Sequence, residues 1–227
     1  MGINIPLILD KENDSQLILV IKKIVRLPLR LYVNAQLRAN IMLPWLVYDA
    51  VKWLKKNLNK SMDGYEWGSG RSTLFFAERI KKLISIEHDK KWYVTVNKWL
   101  MDRKLNNIEL NFIPPQKNST NTSPDYYNHI LKYEDENFDF VLVDGRMRVR
   151  CMINAMNKVK PGGFLIYDDS HRNKEIFPIL DGWKIINFTN GLTQTSIFVK
   201  PKRKITNTKL EVEIVNVQNC DNTKAST

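Results

Sequence analysis

Apolar and polar positions divide the chain into three stretches. In the first, residues 1 to about 60, apolar side chains recur at helical spacing. Asn13, Asp14 and Ser15 offer N-caps to a lysine-punctuated apolar run through Val25, and Pro28 is expected to stop that helix. A second helix is expected to open at Pro44. Leu46, Val47, Ala50, Val51, Trp53, Leu54 and Leu58 continue its apolar face, and Lys55 and Lys56 suit its C-terminal end. From about residue 62 to 200 the pattern alternates between short β-type runs and helical ones. The expected strands are Gly64–Trp67, Leu83–Glu87, Ile108–Ile113, Phe138–Val143, Phe164–Asp168, Lys184–Phe188 and Thr195–Lys200. Trp92, Val96, Trp99 and Leu100 form the clearest helical stripe between strands, with Asp89 as its expected N-cap.

Strands alternating with helices at this spacing predict βαβ units and an α/β fold, a doubly wound and mostly parallel sheet. Only a short turn around Asn190-Gly191 separates the last two strands, so they are expected to pair as a hairpin with the final strand antiparallel. Residues 201–227 are polar, and Leu210 to Val217 within them could add one strand or belong to a mobile tail. The expected organisation is therefore a helical cap over 1–60, a ligand-binding sheet domain over 61–200, and a tail over 201–227.

Composition narrows the class. A chain of 227 residues fits one domain with an appended helical segment, and 43 % hydrophobic with 26 % charged residues excludes a disordered or fibrous protein. No apolar run reaches the ~20 residues of a membrane helix. Asp10, Lys11 and Glu12 interrupt any signal-peptide order, and Cys151 and Cys220 stand far apart without a CxxC pair. These features together make the cytoplasm the expected address. The net charge of +11 favours anionic partners such as nucleic acid, phosphorylated metabolites, acidic glycans or a membrane surface, or it is a solvated basic surface.

Chemistry concentrates in four places. Tyr65-Glu66-Trp67-Gly68-Ser69-Gly70-Arg71-Ser72-Thr73 joins the first sheet strand to a helix through a glycine turn whose N–H groups can face a ligand. Thr73 stands where a dinucleotide fingerprint needs its third glycine, and the Gly-Lys-Ser/Thr ending of a P-loop is absent. Glu66 would repel a pyrophosphate, yet suits a ligand carrying an ammonium and a sulfonium. Ile86-Glu87-His88-Asp89 ends the second strand with an acid able to accept two ribose hydroxyls. Phe138 to Asp144 is a buried strand ending in a carboxylate. Lys160-Pro161-Gly162-Gly163 leads into a fifth strand ending at Asp168-Asp169.

On these residues the chain resembles the class I S-adenosylmethionine-dependent methyltransferases. Glu66-x-Gly68-x-Gly70 matches their first motif, Glu87 their ribose-binding acid, Asp144 the fourth-strand acid, and Lys160-Pro161-Gly162-Gly163 the turn before strand five. Arg71 departs from the small residue usual in the first loop. The resemblance implies a seven-stranded sheet of order 3-2-1-4-5-7-6, with S-adenosylmethionine across the carboxyl ends of strands 1, 2 and 4. It implies cofactor contacts from Glu66, Gly68, Ser69, Gly70, Ser72, Thr73, Glu87, His88 and Asp144.

Methyl transfer to a hydroxyl needs orientation of the acceptor and removal of its proton. Asp168, Asp169 and His171 are the candidates at the acceptor end. His171 could be a general base or an ordinary helix start. Asp144, Asp168 and Asp169 are similar to the divalent-metal (Mg²⁺) ligands of catechol- and caffeoyl-type O-methyltransferases; alternatively they serve cofactor and backbone contacts. The catechol enzyme's lysine falls on Met147. Arg146, Arg148, Arg150 and Arg172 crowd the same edge. Arg146 and Arg172 are expected to bind an anionic acceptor, and one arginine could instead pair with Asp168 or Asp169.

The expected activity is O-methylation of a small molecule or saccharide, possible anionic groups included. RNA methylation is the alternative, although Asp-Gly-Arg follows the fourth strand where base amino methylation uses Asn/Asp-Pro-Pro-Tyr/Phe, so nucleic acid is not the expected acceptor. A non-catalytic binding or scaffold module is the remaining alternative: Lys22, Lys23, Arg26 and Arg30 could rest on an anionic membrane, although the N-terminal helices are expected instead to pack on the sheet domain or cover the cofactor cleft.

Overall fold

A computed structural model of the chain describes residues 15–39, 42–115 and 123–202. Two helices, α1 (Gln16–Ala39) and α2 (Tyr48–Asn57), precede a seven-stranded sheet. The strands are β1 (Asp63–Trp67), β2 (Lys82–Glu87), β3 (Ile108–Phe112), β4 (Phe138–Val143), β5 (Val159–Tyr167), β6 (Lys184–Thr189) and β7 (Gln194–Val199). Helices α3 (Arg71–Ala77), α4 (Lys90–Asp102), α5 (Pro124–Asn128) and α6 (Arg148–Ala155) alternate with the first five strands. The sheet order is β3-β2-β1-β4-β5-β7-β6. β1 to β5 run parallel, and β7 is antiparallel to both β5 and β6.

Strand parity sorts the core into two layers. Tyr65, Trp67, Ile86, Val141, Val143 and Tyr167 turn to the face covered by α5, α6 and the short 3₁₀ segment Lys174–Leu180. Phe140, Leu142, Phe164, Ile166 and Ile197 turn to the face covered by α2 and α3. α4 packs Val96 and Leu100 on Leu74 of α3, and its Asp89 caps the helix by accepting a hydrogen bond from Trp92 N at 2.9 Å. The β6–β7 turn is held by Asn190 Oδ1, which accepts from Leu192 N and Thr193 N, each at 3.0 Å.

Most strand ends lie within one residue of expectation, and three boundaries differ by more. α1 does not stop at Pro28 but continues to Ala39. An interior proline costs ~3 kcal/mol, and the strong helix formers Leu27, Leu29, Arg30 and Leu31 on both sides carry the helix through it. α2 starts at Tyr48 rather than at Pro44, because Val47 N donates to Thr195 Oγ1 of β7 at 3.1 Å and holds its own residue extended. The expected turn at 160–163 lies inside β5 as an irregularity. Pairing jumps from Phe138↔Val159 to Phe140↔Phe164, and β7 follows the bulged strand with Lys200 N donating to Gly163 O. Ser15 does contribute to the start of α1, where Ile18 N donates to its Oγ. Asn13, Asp14, Cys220 and the 210–217 segment lie outside the described residues.

Candidate active site

The carboxyl ends of β1, β2 and β4 align through hydrogen bonds that extend the ladder past the strands. Gly68 N donates to Ile86 O, and Asp144 N donates to Trp67 O. Gly68 holds φ +91°, and a Cβ there would approach Gly145 N to 2.8 Å, so the two loops close on each other only because glycine stands at this position. Between them opens a cleft of about 440 Å³ lined by Gly68, Ser69, Gly70, Arg71 and Ser72 of the first loop, Glu87, His88 and Asp89 after β2, and Asp144, Gly145, Arg146 and Arg148 after β4. Trp45 and Trp92 complete its wall. This is the crevice an open α/β sheet forms where its strand order reverses.

The carboxylates around it are held in different ways. Glu66 is fully buried and absent from the cleft lining. Parity points it to the α3 face, where Ser72 Oγ donates to it at 2.9 Å, Ser85 Oγ at 2.7 Å, and Thr73 Oγ1 as well. Thr73 Oγ1 also accepts from Gly70 N at 2.8 Å, so the glutamate shapes the loop from beneath. Burial raises its pKa from 4.5 to about 7 against the three hydroxyl donors. Glu87 lines the cleft itself. His88 N and Asp89 N donate to its Oε1 at 2.8 Å, while its Oε2 takes Ser69 Oγ at 3.1 Å. His88 Nδ1 lies 2.9 Å from Oε1 without hydrogen-bond alignment.

Opposite, Arg148 binds the acidic edge together. Its guanidinium is 3.0 Å from Asp144 and 3.6 Å from Asp169, and it donates to the Asp168 carbonyl. Arg172 pairs with Asp169 at 3.0 Å, and Thr193 Oγ1 donates to the same carboxylate. Asp168 accepts from Thr195 Oγ1 at 2.7 Å, the hydroxyl that in turn receives Val47 N. Burial raises Asp168 to about 6, and burial together with the Asp168 carboxylate raises Asp144 against the pull of Arg148.

These contacts correct the metal expectation. Asp144, Asp168 and Asp169 do not converge as a ligand set, and no group of three or more metal-ligating side chains occurs among the described residues. Their lone pairs are engaged by Arg148, Arg172, Thr193 and Thr195, so a divalent cation would have to displace built hydrogen bonds and face a guanidinium. The residues do not fit Mg²⁺.

His171 lines neither the cleft nor its neighbouring cavity. It follows Asp169 on a 3₁₀ turn and comes under the field of Arg26 from α1. Burial, its strongest perturbation, lowers its pKa and favours the neutral ring. His129 sits between Tyr65 Oη at 3.0 Å and Lys132 Nζ at 2.8 Å, and burial lowers it to about 4. With an ammonium donating to Nε2, Nδ1 carries the proton and donates to Tyr65.

A second cavity of about 480 Å³ shares Gly145, Arg146 and Arg148 with the cleft and adds Arg150, Arg172 and Asn173. Met147 and Asp169 hold left-handed backbone at φ +52° and +51° on the two loops around it. That conformation is costly for residues with a side chain and tends to gather at functional loops. Sequence reasoning missed Trp45 and Trp92 as cleft walls and Arg148 as the organiser of the acids. Trp92 had read only as a helix-stripe residue, and nothing local ties Trp45 to a loop so distant in sequence.

No model of a known protein family and no curated protein sequence matches the chain. Solved structures do. A proposed methyltransferase of Streptococcus mutans, solved with S-adenosylhomocysteine, superposes with a TM-score of 0.52 at 14 % identity, over 66 % of this chain and 95 % of that one. A methyltransferase-like protein of Silicibacter pomeroyi matches at 0.52 and 23 % identity, over 68 % and 84 %. An rRNA methylase of Streptococcus thermophilus matches at 0.53 and 12 % identity, over 69 % and 96 %. The fold is that of the class I S-adenosylmethionine-dependent methyltransferases. With an rRNA methylase among the structural neighbours, the expectation against a nucleic-acid acceptor gains no support.

Proposed function

We propose that the chain is an S-adenosylmethionine-dependent methyltransferase acting on an oxygen of an anionic small molecule or saccharide. The observation that carries this reading is the cleft at the sheet's reversal point. One rim has the glycine loop Gly68–Gly70 and the buried acid Glu87, and the other opens into an arginine-lined cavity. The residues fit the cofactor in volume and in kind. Gly68 to Ser72 would follow its amino-acid portion, Glu87 would take ribose hydroxyls in place of the Ser69 hydroxyl, and Trp45 and Trp92 would exclude water. Bound there, S-adenosylmethionine supplies an electrophilic methyl group. The chain's task is then to hold an acceptor oxygen in line, which can account for ~7–11 kcal/mol of barrier lowering.

Arg146 is exposed at the junction of the two cavities, and Arg172 flanks the second. Both suit a carboxylate or phosphate on the acceptor. Of the acids and the histidine expected to take the acceptor's proton, Asp168 and Asp169 are committed to Thr195, Thr193 and arginines, and His171 lines neither cavity. Asp144 lines the cleft with its Oδ1 on Arg148 at 3.0 Å, and its raised pKa makes it a stronger base than a solvated aspartate. Residues 42–47, with Trp45, supply the lid of the cap region, and 61–200 supply the binding domain. RNA is the second reading, favoured by the +11 charge and by arginines that would equally take phosphodiesters.

Calorimetric titration with S-adenosylmethionine and S-adenosylhomocysteine tests the core of this. Binding is expected, and Glu87→Ala should weaken it by ~1–3 kcal/mol through lost charge-assisted hydrogen bonds. No binding of either compound, or an unaltered affinity in the variant, overturns the assignment of the cleft. Arg146→Ala should raise KM for an anionic acceptor while leaving cofactor affinity alone.

A further inference from the structure

α1 is amphipathic in an inverted sense. Leu17, Val20, Ile21, Ile24, Leu27 and Leu31 recur at three- and four-residue steps and make one continuous stripe, yet each is 44–70 % exposed. The charged flank turns inward instead. Lys22 is buried, and Arg26 donates to Leu192 O of the β6–β7 turn at 3.0 Å. Lys23 and Arg30 are exposed beside the stripe. Soluble domains bury such stripes, so an aliphatic face this long and this exposed marks an interaction surface.

Charge selects the occupant. Between Gln16 and Ala39 there are five basic residues, Lys22, Lys23, Arg26, Arg30 and Arg38, and no acidic one. A second copy packed stripe to stripe would bring Lys23 and Arg30 rims together with no carboxylate on either helix to answer them. An acidic lipid surface answers both features at once, taking the aliphatic stripe into the acyl boundary and the rim cations among its headgroups. No helix among the described residues is long and apolar enough to cross a membrane, so α1 would lie in the interface plane.

We propose that the outer face of α1 docks the protein on an anionic membrane surface. This rests on α1 alone and is independent of the activity assigned to the cleft.

Co-sedimentation of the full chain with vesicles of phosphatidylcholine mixed with phosphatidylserine, and with pure phosphatidylcholine vesicles, provides the test. Binding to the mixed vesicles should exceed binding to the neutral ones by about tenfold or more and should fall at high salt. Ile24→Glu combined with Leu31→Glu should abolish sedimentation while leaving the circular dichroism and thermal midpoint unchanged, because these side chains are exposed. Lys23→Ala with Arg30→Ala should reduce binding to the mixed vesicles selectively. A chain that stays in the supernatant with both vesicle types overturns the proposal. So does binding indifferent to the glutamates, or a solution dimer that the glutamates convert to monomer without any vesicle binding.

Discussion

The two rims of the cleft carry similar numbers of carboxylates and differ in whether guanidinium groups help to hold them. On the β1–β2 rim, Glu66 and Glu87 receive neutral donors, namely the hydroxyls of Ser72, Thr73, Ser85 and Ser69 and the amides of His88 and Asp89. On the β4–β5 rim, Asp144 and Asp169 receive guanidinium groups. On the first rim the acids are satisfied by neutral groups, which suits a ligand that brings its own hydroxyl or ammonium donors. Arg148 brings the second rim nearer to electrical balance and leaves Arg146 exposed for an anion. On the proposed function, the methyl donor would lie on the first rim and the acceptor on the second.

Breaking the charged rim should have the largest effect. Arg148→Met leaves Asp144 without its ion-pair partner in a half-buried site, which should cost about 3 kcal/mol of stability near neutral pH. The loss should shrink on acidification, as Asp144 and Asp168, both raised above the ordinary aspartate range, take up protons. Denaturant midpoints equal to wild type across that range would show that the pair does not matter.

The neutral rim makes a sharper prediction about pH. Glu66 binds its proton more tightly in the folded chain, at about 7, than at its ordinary 4.5. Its protonation therefore supports the fold fully below pH 4.5, and that support is lost as pH rises through 7. Glu66→Gln removes the titration. The variant's stability relative to wild type should rise between those limits by something on the order of 3 kcal/mol and then level off. A difference that stays flat over the window would mean Glu66 is ionised in the folded protein throughout.

The smallest effect belongs to the wall between the rims. Trp45 lies 6.3 Å from Trp92, centroid to centroid, with the Arg71 guanidinium 5.5 Å from its ring. Trp45→Ala should weaken cofactor binding by ~0.5–1 kcal/mol, the size of an exposed cation–π contact. An unchanged calorimetric affinity would make Trp45 a cover without a contact.

Much of the sheet was legible because its strands are short, apolar and separated by turn residues, and because Asn190-Gly191 forces the last two to pair. Asp89 as a cap and Glu87 as a cleft acid were legible for the same local reason. Each lies at the end of a periodic segment, where a side chain can bond only nearby amides or face the crevice. Glu66 was legible as important but not in its placement. Its partner Ser85 lies 19 residues away on the neighbouring strand, and only the parallel register sets the two side by side. The acids after β4 and β5 looked like a ligand set because spacing counts oxygens and does not show which cation occupies them. Arg148 sits four residues after Asp144, on the first turn of α6, and the direction of that turn aims it back between the strands.

The sequence by itself determined the order of elements, the parallel and antiparallel pairings and the loops that surround the crevice, because local periodicity and turn chemistry control these. The tertiary structure decided which way each charge faces. Strand parity and helix docking put Glu66 beneath its loop, Arg148 between the acids and the cationic flank of α1 inward, and those orientations depend on contacts between residues far apart in the chain.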